Sequence, residues 1–173
     1  MLKRLFCTAL SIAALGCSAS AVNALPAATG GQTFYVSTSL SDAAGHFADP
    51  TIYNIDGNTY FKLRDLGRLL DFGVTYDSAA NAVHITPDDA YIPASGESST
   101  IQNTATAPAP AIVTRQTLYL NGSPISPTVY NIKGNNYIGL RALGNLVDFG
   151  VAYNYDNRRI TAYAAYPYAE ETT

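Results

Sequence analysis

One long passage of this chain is written twice, and a chain that repeats itself at such length is built from two copies of one folding unit. Pro50 to Tyr76 returns as Pro127 to Tyr153 without a gap, and about two-thirds of the positions are identical. The copies share mostly packing and turn residues and differ at most of the charged ones. That pattern suits a duplicated binding or scaffolding module better than an enzyme with one active site.

The remaining residues divide around this repeat. Residues 1–24 read as an export signal: Lys3 and Arg4 form a positive start, Leu5 to Leu15 is an apolar run too short to span a bilayer, and small residues follow. Val22-Asn23-Ala24 fits small-x-small cleavage after Ala24, and Ala19-Ser20-Ala21 fits it too. The alternative is lipoprotein processing at Cys17, which would leave a lipid anchor. Both cysteines, Cys7 and Cys17, lie in this leader, so cleavage after Ala24 leaves an exported chain without disulfides. The first copy runs over 32–92 and the second over 114–168. Between them, 93–113 is a Ser/Thr/Ala/Pro segment with little apolar bulk, expected to be an extended linker. Residues 169–173 are a polar tail.

Charge narrows the partners. The formal net charge is −3, and loss of Lys3 and Arg4 makes it about −5. The cations that remain are scattered, which argues against a nucleic-acid partner. No second apolar stretch is long enough for a transmembrane helix, so no membrane-spanning anchor is expected after signal removal.

Within each copy, patterning predicts hairpins and one helix. Ile52 to Ile55 and Thr59 to Lys62 flank Asp56-Gly57, and Leu118 and Ile125 flank Asn121-Gly122, both strong hairpin turns. Leu63, Leu66, Leu69 and Leu70 then share one helical face. Gly73 and Gly150 stand where a left-handed residue would end the helix. Two short strands follow, around Val74 and around His84. The expected fold class is α+β: two small modules, each a β-hairpin, a short helix and a β-hairpin, with the helix packed on an antiparallel sheet.

The motif Tyr-Asn-Ile-x-Gly-Asn-x-Tyr-x-x-Leu-Arg-x-Leu, followed by Phe-Gly-Val-x-Tyr, carries a resemblance. It occurs as Tyr53, Gly57, Tyr60, Leu63, Arg64, Leu66, Phe72 and Gly73, and again as Tyr130, Gly134, Tyr137, Leu140, Arg141, Leu143, Phe149 and Gly150. These residues resemble the copper amine oxidase N-terminal-like domain, or stalk domain. The resemblance implies small non-catalytic α+β modules of exported proteins from Gram-positive bacteria. It implies no amine oxidase activity here: Asn154-Tyr155-Asp156 matches the tripeptide of the quinone cofactor, but that chemistry needs a large catalytic domain and three histidine copper ligands. The mature chain holds only His46 and His84. No cofactor, metal or catalytic residue is expected.

Among candidate contacts, Arg64 and Arg141 open the helix in both copies. Each reads either as a carboxylate-gripping arginine or as a structural one bonding loop carbonyls or the aspartate two turns on, Asp71 or Asp148. The repeated tyrosines read as packing, and the non-repeated Tyr155, Tyr163, Tyr166 and Tyr168 as the candidate ligand contacts. The expected role is an exported, non-catalytic binding or scaffolding protein of the bacterial cell envelope, engaging cell-wall polymer or an envelope protein. The alternatives are a wall-modifying hydrolase using single-copy carboxylates and a self-assembling surface protein.

Overall fold

Three two-residue turns set the hairpins. Asp56-Gly57, Asn121-Gly122 and Lys133-Gly134 all take positive φ at both positions. This is the mirror-image turn whose twist matches that of paired strands. In a computed structural model describing residues 24–40 and 45–169, the first copy forms β1 (Leu25–Thr29), β2 (Thr33–Ser37), β3 (Gly45–Ala48), β4 (Ile52–Ile55), β5 (Asn58–Lys62), α1 (Leu63–Leu70), β6 (Gly73–Asp77) and β7 (Ala82–Thr86). The second forms β8 (Ala109–Val113), β9 (Thr117–Leu120), β10 (Ser123–Ile125), β11 (Val129–Ile132), β12 (Asn135–Gly139), α2 (Leu140–Val147), β13 (Gly150–Asn154) and β14 (Arg159–Tyr163). The predicted signal lies outside the described residues except for Ala24, and the polar tail lies outside them except for Ala169.

The expected α+β class is corrected by the topology. The fold is mostly β, not a helix-on-sheet repeat. The central hairpins of the two copies meet edge to edge through β5 and β12, and β1 and β8 complete a closed six-stranded barrel in the order β1-β4-β5-β12-β11-β8. Two four-stranded sheets flank it, β10-β9-β7-β6 and β13-β14-β2-β3. Each takes two strands from each copy. The amino-terminal hairpin of one copy adds, in parallel, to the carboxy-terminal hairpin of the other: β7 with β9, and β14 with β2. A hairpin pattern fixes its own register but leaves its outer edges open to any partner, so the sequence could not show this exchange.

Two cores result. Inside the barrel, Tyr53 stacks edge-on against Tyr137 at 5.3 Å, and Tyr60 against Tyr130 at 5.0 Å. The repeat register interchanges these two pairs. Four large rings fit within a narrow barrel because Ala27, Ala109 and Ala111 supply the facing positions. Burial, and after it the nearby Tyr53 and Asp65, pushes the Tyr137 hydroxyl up from its usual range. Outside the barrel, Phe61, Ile138, Leu63, Leu66, Leu140 and Leu143 join residues of both flanking sheets in one shared core. Here α1 packs on β5, β6 and β12, and α2 on β5, β12 and β13.

Each helix ends at an aspartate rather than at the predicted glycine. Asp71 (φ 55°) and Asp148 (φ 61°) hold the left-handed cap. Their carboxylates accept the backbone N–H of Tyr91 at 3.0 Å and of Tyr168 at 2.9 Å. Aspartate enters this backbone region more readily than most non-glycine residues, and each carboxylate also ties down a segment 20 residues further on. Gly73 instead opens β6, where a Cβ would come within 2.1 Å of Thr86 Oγ1. Its requirement is space, not a left-handed backbone.

The segment expected to be a linker is structured too. Residues 109–113 are β8, paired with both β1 and β11. The repeat therefore reaches further back than the ungapped match: Pro26, Ala27, Gln32, Thr33 and Tyr35 return as Pro110, Ala111, Gln116, Thr117 and Tyr119. Residues 92–104 form a strap across the outer side of α1, and Ala105 leads it into the barrel core.

Candidate binding groove

The exchange of strands leaves a groove of about 410 Å³ between the copies. One wall is the β4–β5 turn and β5 of the first copy, contributing Asn58, Thr59 and Tyr60. The other is the start of α2 with β13, contributing Gly139, Arg141 and Tyr153. Gln32, just before β2, and Tyr155, in the β13–β14 turn, complete it. Because each wall comes from a different copy, only the intertwined pair builds it.

The lining mixes flat rings, amides and one cation. Tyr155 is 81% exposed and stands edge-on to Tyr153 at 4.7 Å. Asn154 holds that turn, its Oδ1 accepting the N–H groups of Asp156 and Asn157 at 3.0 and 3.3 Å. The tripeptide Asn154-Tyr155-Asp156 is thus a polar turn that presents a ring. Gln32 donates a long 3.4 Å bond to Asn54, while its own Oε1 is buried with no partner among the described residues.

On the first copy the strap bonds the arginines of α1. Arg64 donates to Val74 O at 3.1 Å and to the Glu97 carboxylate at 2.7 Å, and its guanidinium lies 5.2 Å over the Tyr91 ring. Glu97 also accepts the Ala94 N–H at 2.8 Å and the Tyr91 hydroxyl. Arg68 holds the carbonyls of Ser98 and Ser99. Arg64 therefore grips a carbonyl of β6 and a carboxylate, but that carboxylate is Glu97 and not Asp71. By the repeat register Arg141, Ala142 and Asn145 stand where Arg64, Asp65 and Arg68 do, and all three are exposed.

Partial burial would raise the Glu97 carboxyl, but hydrogen bonds from Arg64, Tyr91 and the Ala94 N–H outweigh it, holding the group down to about 2 from 4.5. Burial and the bond to Glu97 together push the Tyr91 hydroxyl up to about 12. A carboxyl lowered on folding stabilises the folded form above its unfolded value and stops doing so below its folded one. The strap contact should be complete above about pH 4.5 and lost as pH falls through about 2. Carbon-13 NMR of the Glu97 carboxyl reads this directly, and a midpoint near 4.5 would show that Arg64 and Tyr91 do not hold it. Glu97→Gln should loosen residues 92–99 at neutral pH.

The other predicted residues are spread more widely. Tyr163 and Tyr166 pack edge-on to each other at 6.3 Å, and Tyr168 lies against Gly144. Of the four terminal tyrosines, only Tyr155 lines the groove. Tyr53, Tyr130 and Tyr137 are buried in the barrel, while Tyr60 also reaches the groove. His84 stacks on Tyr119 across the β7–β9 pair. Asp65, a single-copy carboxylate, is buried, accepts the Thr51 N–H at 2.9 Å and pairs with Lys62 at 3.4 Å. Among the described residues no group of three His, Cys, Asp or Glu could hold a metal ion, and no helix is long and apolar enough to cross a membrane. The groove residues that sequence reading passed over are Gln32, Asn58 and Tyr153. Their signal was weak, since amides and tyrosines also serve turns and cores.

Compared with protein-family models, with curated proteins and with solved structures, the chain matches none.

Proposed function

We propose that this chain is an exported, non-catalytic binding protein of the bacterial cell envelope, and that its groove engages cell-wall polymer. The observation that carries this is the lining. Tyr60, Tyr153 and Tyr155 offer flat apolar faces, Gln32 and Asn58 offer amides, and Arg141 offers one cation, with no pair of carboxylates among the lining residues. Such a surface suits weak, extended contact with a polymer of sugars and short peptides. The repeat signature adds the resemblance to stalk domains, whose setting is the envelope of exported proteins.

The test is co-sedimentation of residues 25–173 with purified, protein-free sacculi. Gly139 is the position at which to block the groove. It has φ −66°, ordinary for any residue, and nothing lies within 4 Å of where its Cβ would stand. Saturable binding is expected. It should weaken about tenfold or more in Gly139→Trp and in Tyr155→Ala, as when a central aromatic contact is lost. No sedimentation at high protein concentration, or binding indifferent to both variants, overturns the reading.

A further inference from the structure

A strand at the end of a sheet leaves every second residue with its backbone groups pointing outward, and proteins protect such edges. Three edges of the flanking sheets differ in this respect. On β10, Ser123 and Ile125 bond β9, because Thr117 and Asn121 of the β9 side donate to Asn81 O and Ile85 O instead. Pro124 therefore faces out, and it has no N–H to offer. On β6 the outward carbonyl of Val74 accepts a bond from Arg64. On β3 the outward residue is Phe47. Thr33 N–H and Ser37 O bond the β14 side, so Phe34 and Val36 bond Ala48 and His46, and the N–H and C=O of Phe47 point away from the sheet. Its side chain is 66% exposed, with the ring held edge-on to Tyr35 at 5.0 Å.

That edge borders a slot of about 520 Å³, with Leu69 of α1 and residues 99–101 of the strap as its other lining. Two ties close the slot's ends. The Asp49 carboxylate accepts the Asn103 N–H at 3.2 Å, and Arg68 holds the Ser98 and Ser99 carbonyls. Neither charge meets an opposite one among the described residues: Asp49 has no cation and Arg68 no carboxylate. The strap on the far side also selects the occupant. The edge of another folded sheet brings its own neighbouring strand, which would run into the strap, whereas a lone extended segment brings none.

We infer that β3 takes up an extended peptide of a partner protein as an added antiparallel strand. Main-chain bonds hold such a strand, and alternate side chains select it. The residue opposite Phe47 exchanges both backbone bonds with it and lays an aliphatic side chain beside its ring. The preceding residue, opposite Ala48, turns inward to Leu69 and is aliphatic too. A basic residue stands opposite Asp49, and an acidic one opposite His46, on the side of Arg68. None of these contacts involves the groove between the copies, so the inference stands or falls apart from the reading above.

The experiment is an NMR titration of residues 25–173 with acetyl-Thr-Lys-Val-Val-Glu-Thr-amide. Saturable shifts are expected at Gly45, Phe47, Leu69 and Ile101. Methylating the backbone nitrogen of the second Val removes the N–H that Phe47 O would accept, and affinity should fall about tenfold or more. Phe47→Pro, which copies the protection of β10, should lose binding to the same extent. Gln in place of both Lys and Glu should weaken it about threefold, as for exposed ion pairs. Equal binding of the methylated or the uncharged peptide would overturn the inference, as would the absence of shifts at millimolar peptide. Shifts at Phe47 that follow protein concentration without peptide, with a dimer by light scattering, would assign the edge to a second copy and overturn the choice of partner.

Discussion

Cut between Thr104 and Ala105, the chain should give two halves neither of which unfolds cooperatively as a monomer. Residues 24–104 would keep the hairpins β4–β5 and β6–β7 but lose β8 and β12 from the barrel, β9 from β7 and β14 from β2. Phe34, Phe61 and Ile85, all nearly or wholly buried in the whole chain, would meet water. Isolated hairpins are marginal in water, and half of a shared core does not stand in for a whole one. The vacated edges can be filled by another copy of the same half, so a reciprocal dimer is the folded form that 24–104 can reach alone. Size-exclusion chromatography with light scattering and NMR dispersion check this: unfolded monomer or folded dimer from each half, and a folded heterodimer on mixing. A half that is folded and monomeric at low micromolar concentration would contradict the strand exchange.

Phe61→Ala should be among the most destabilising single substitutions in the chain, at about 3–5 kcal/mol. The side chain is fully buried. Its ring meets Phe34 at 5.0 Å, and β5 is one of the strands through which the first copy joins the second. Phe34 belongs to β2, which pairs with β14, so the cavity would open where barrel, flanking sheet and both copies converge. Urea unfolding measures the loss. A change below about 1 kcal/mol would mean that the outer core collapses onto the space, or that the copies do not share it. The mirrored change, Ile138→Ala at the equivalent position of β12, should be milder by the smaller side chain removed.

How far the sequence anticipated this depends on the range of the interaction. Asp56-Gly57 and Asn121-Gly122 mark their turns because positive φ at adjacent positions admits few residue types. Leu63, Leu66, Leu140 and Leu143 mark their helices because the apolar period is local. Partner choice is not local. Nothing in Val83-His84-Ile85 says that its neighbour is Leu118-Tyr119-Leu120 rather than a strand of its own copy. The strands β1 and β8 were obscured for a different reason. Proline and alanine are poor strand formers, and composition alone counts them as linker. Small residues were nevertheless what the barrel needed opposite four tyrosine rings. The groove was half legible: Arg141 and Tyr155 were candidates from the start, but Gln32 and Asn58 join them only through the exchange. Glu97 lay in a stretch judged too polar to fold.

The parallel pairing of β2 with β14 also sets a schedule. Phe34 is made near the start of the described chain and aligns with Ile160, made near its end. Closing so long a loop must precede the contacts that reward it, which slows folding. Until β14 exists, β2 and β3 have no sheet to join, and until β8 exists β1 has an unfilled edge. Part of the first copy therefore waits for the last hairpin of the second, and a chaperone or a crowded neighbour meets β2 without its parallel partner until almost the whole polypeptide is made. Charge differences between the copies fit this interval, since two identical units held open side by side would be the readiest partners for wrong pairing.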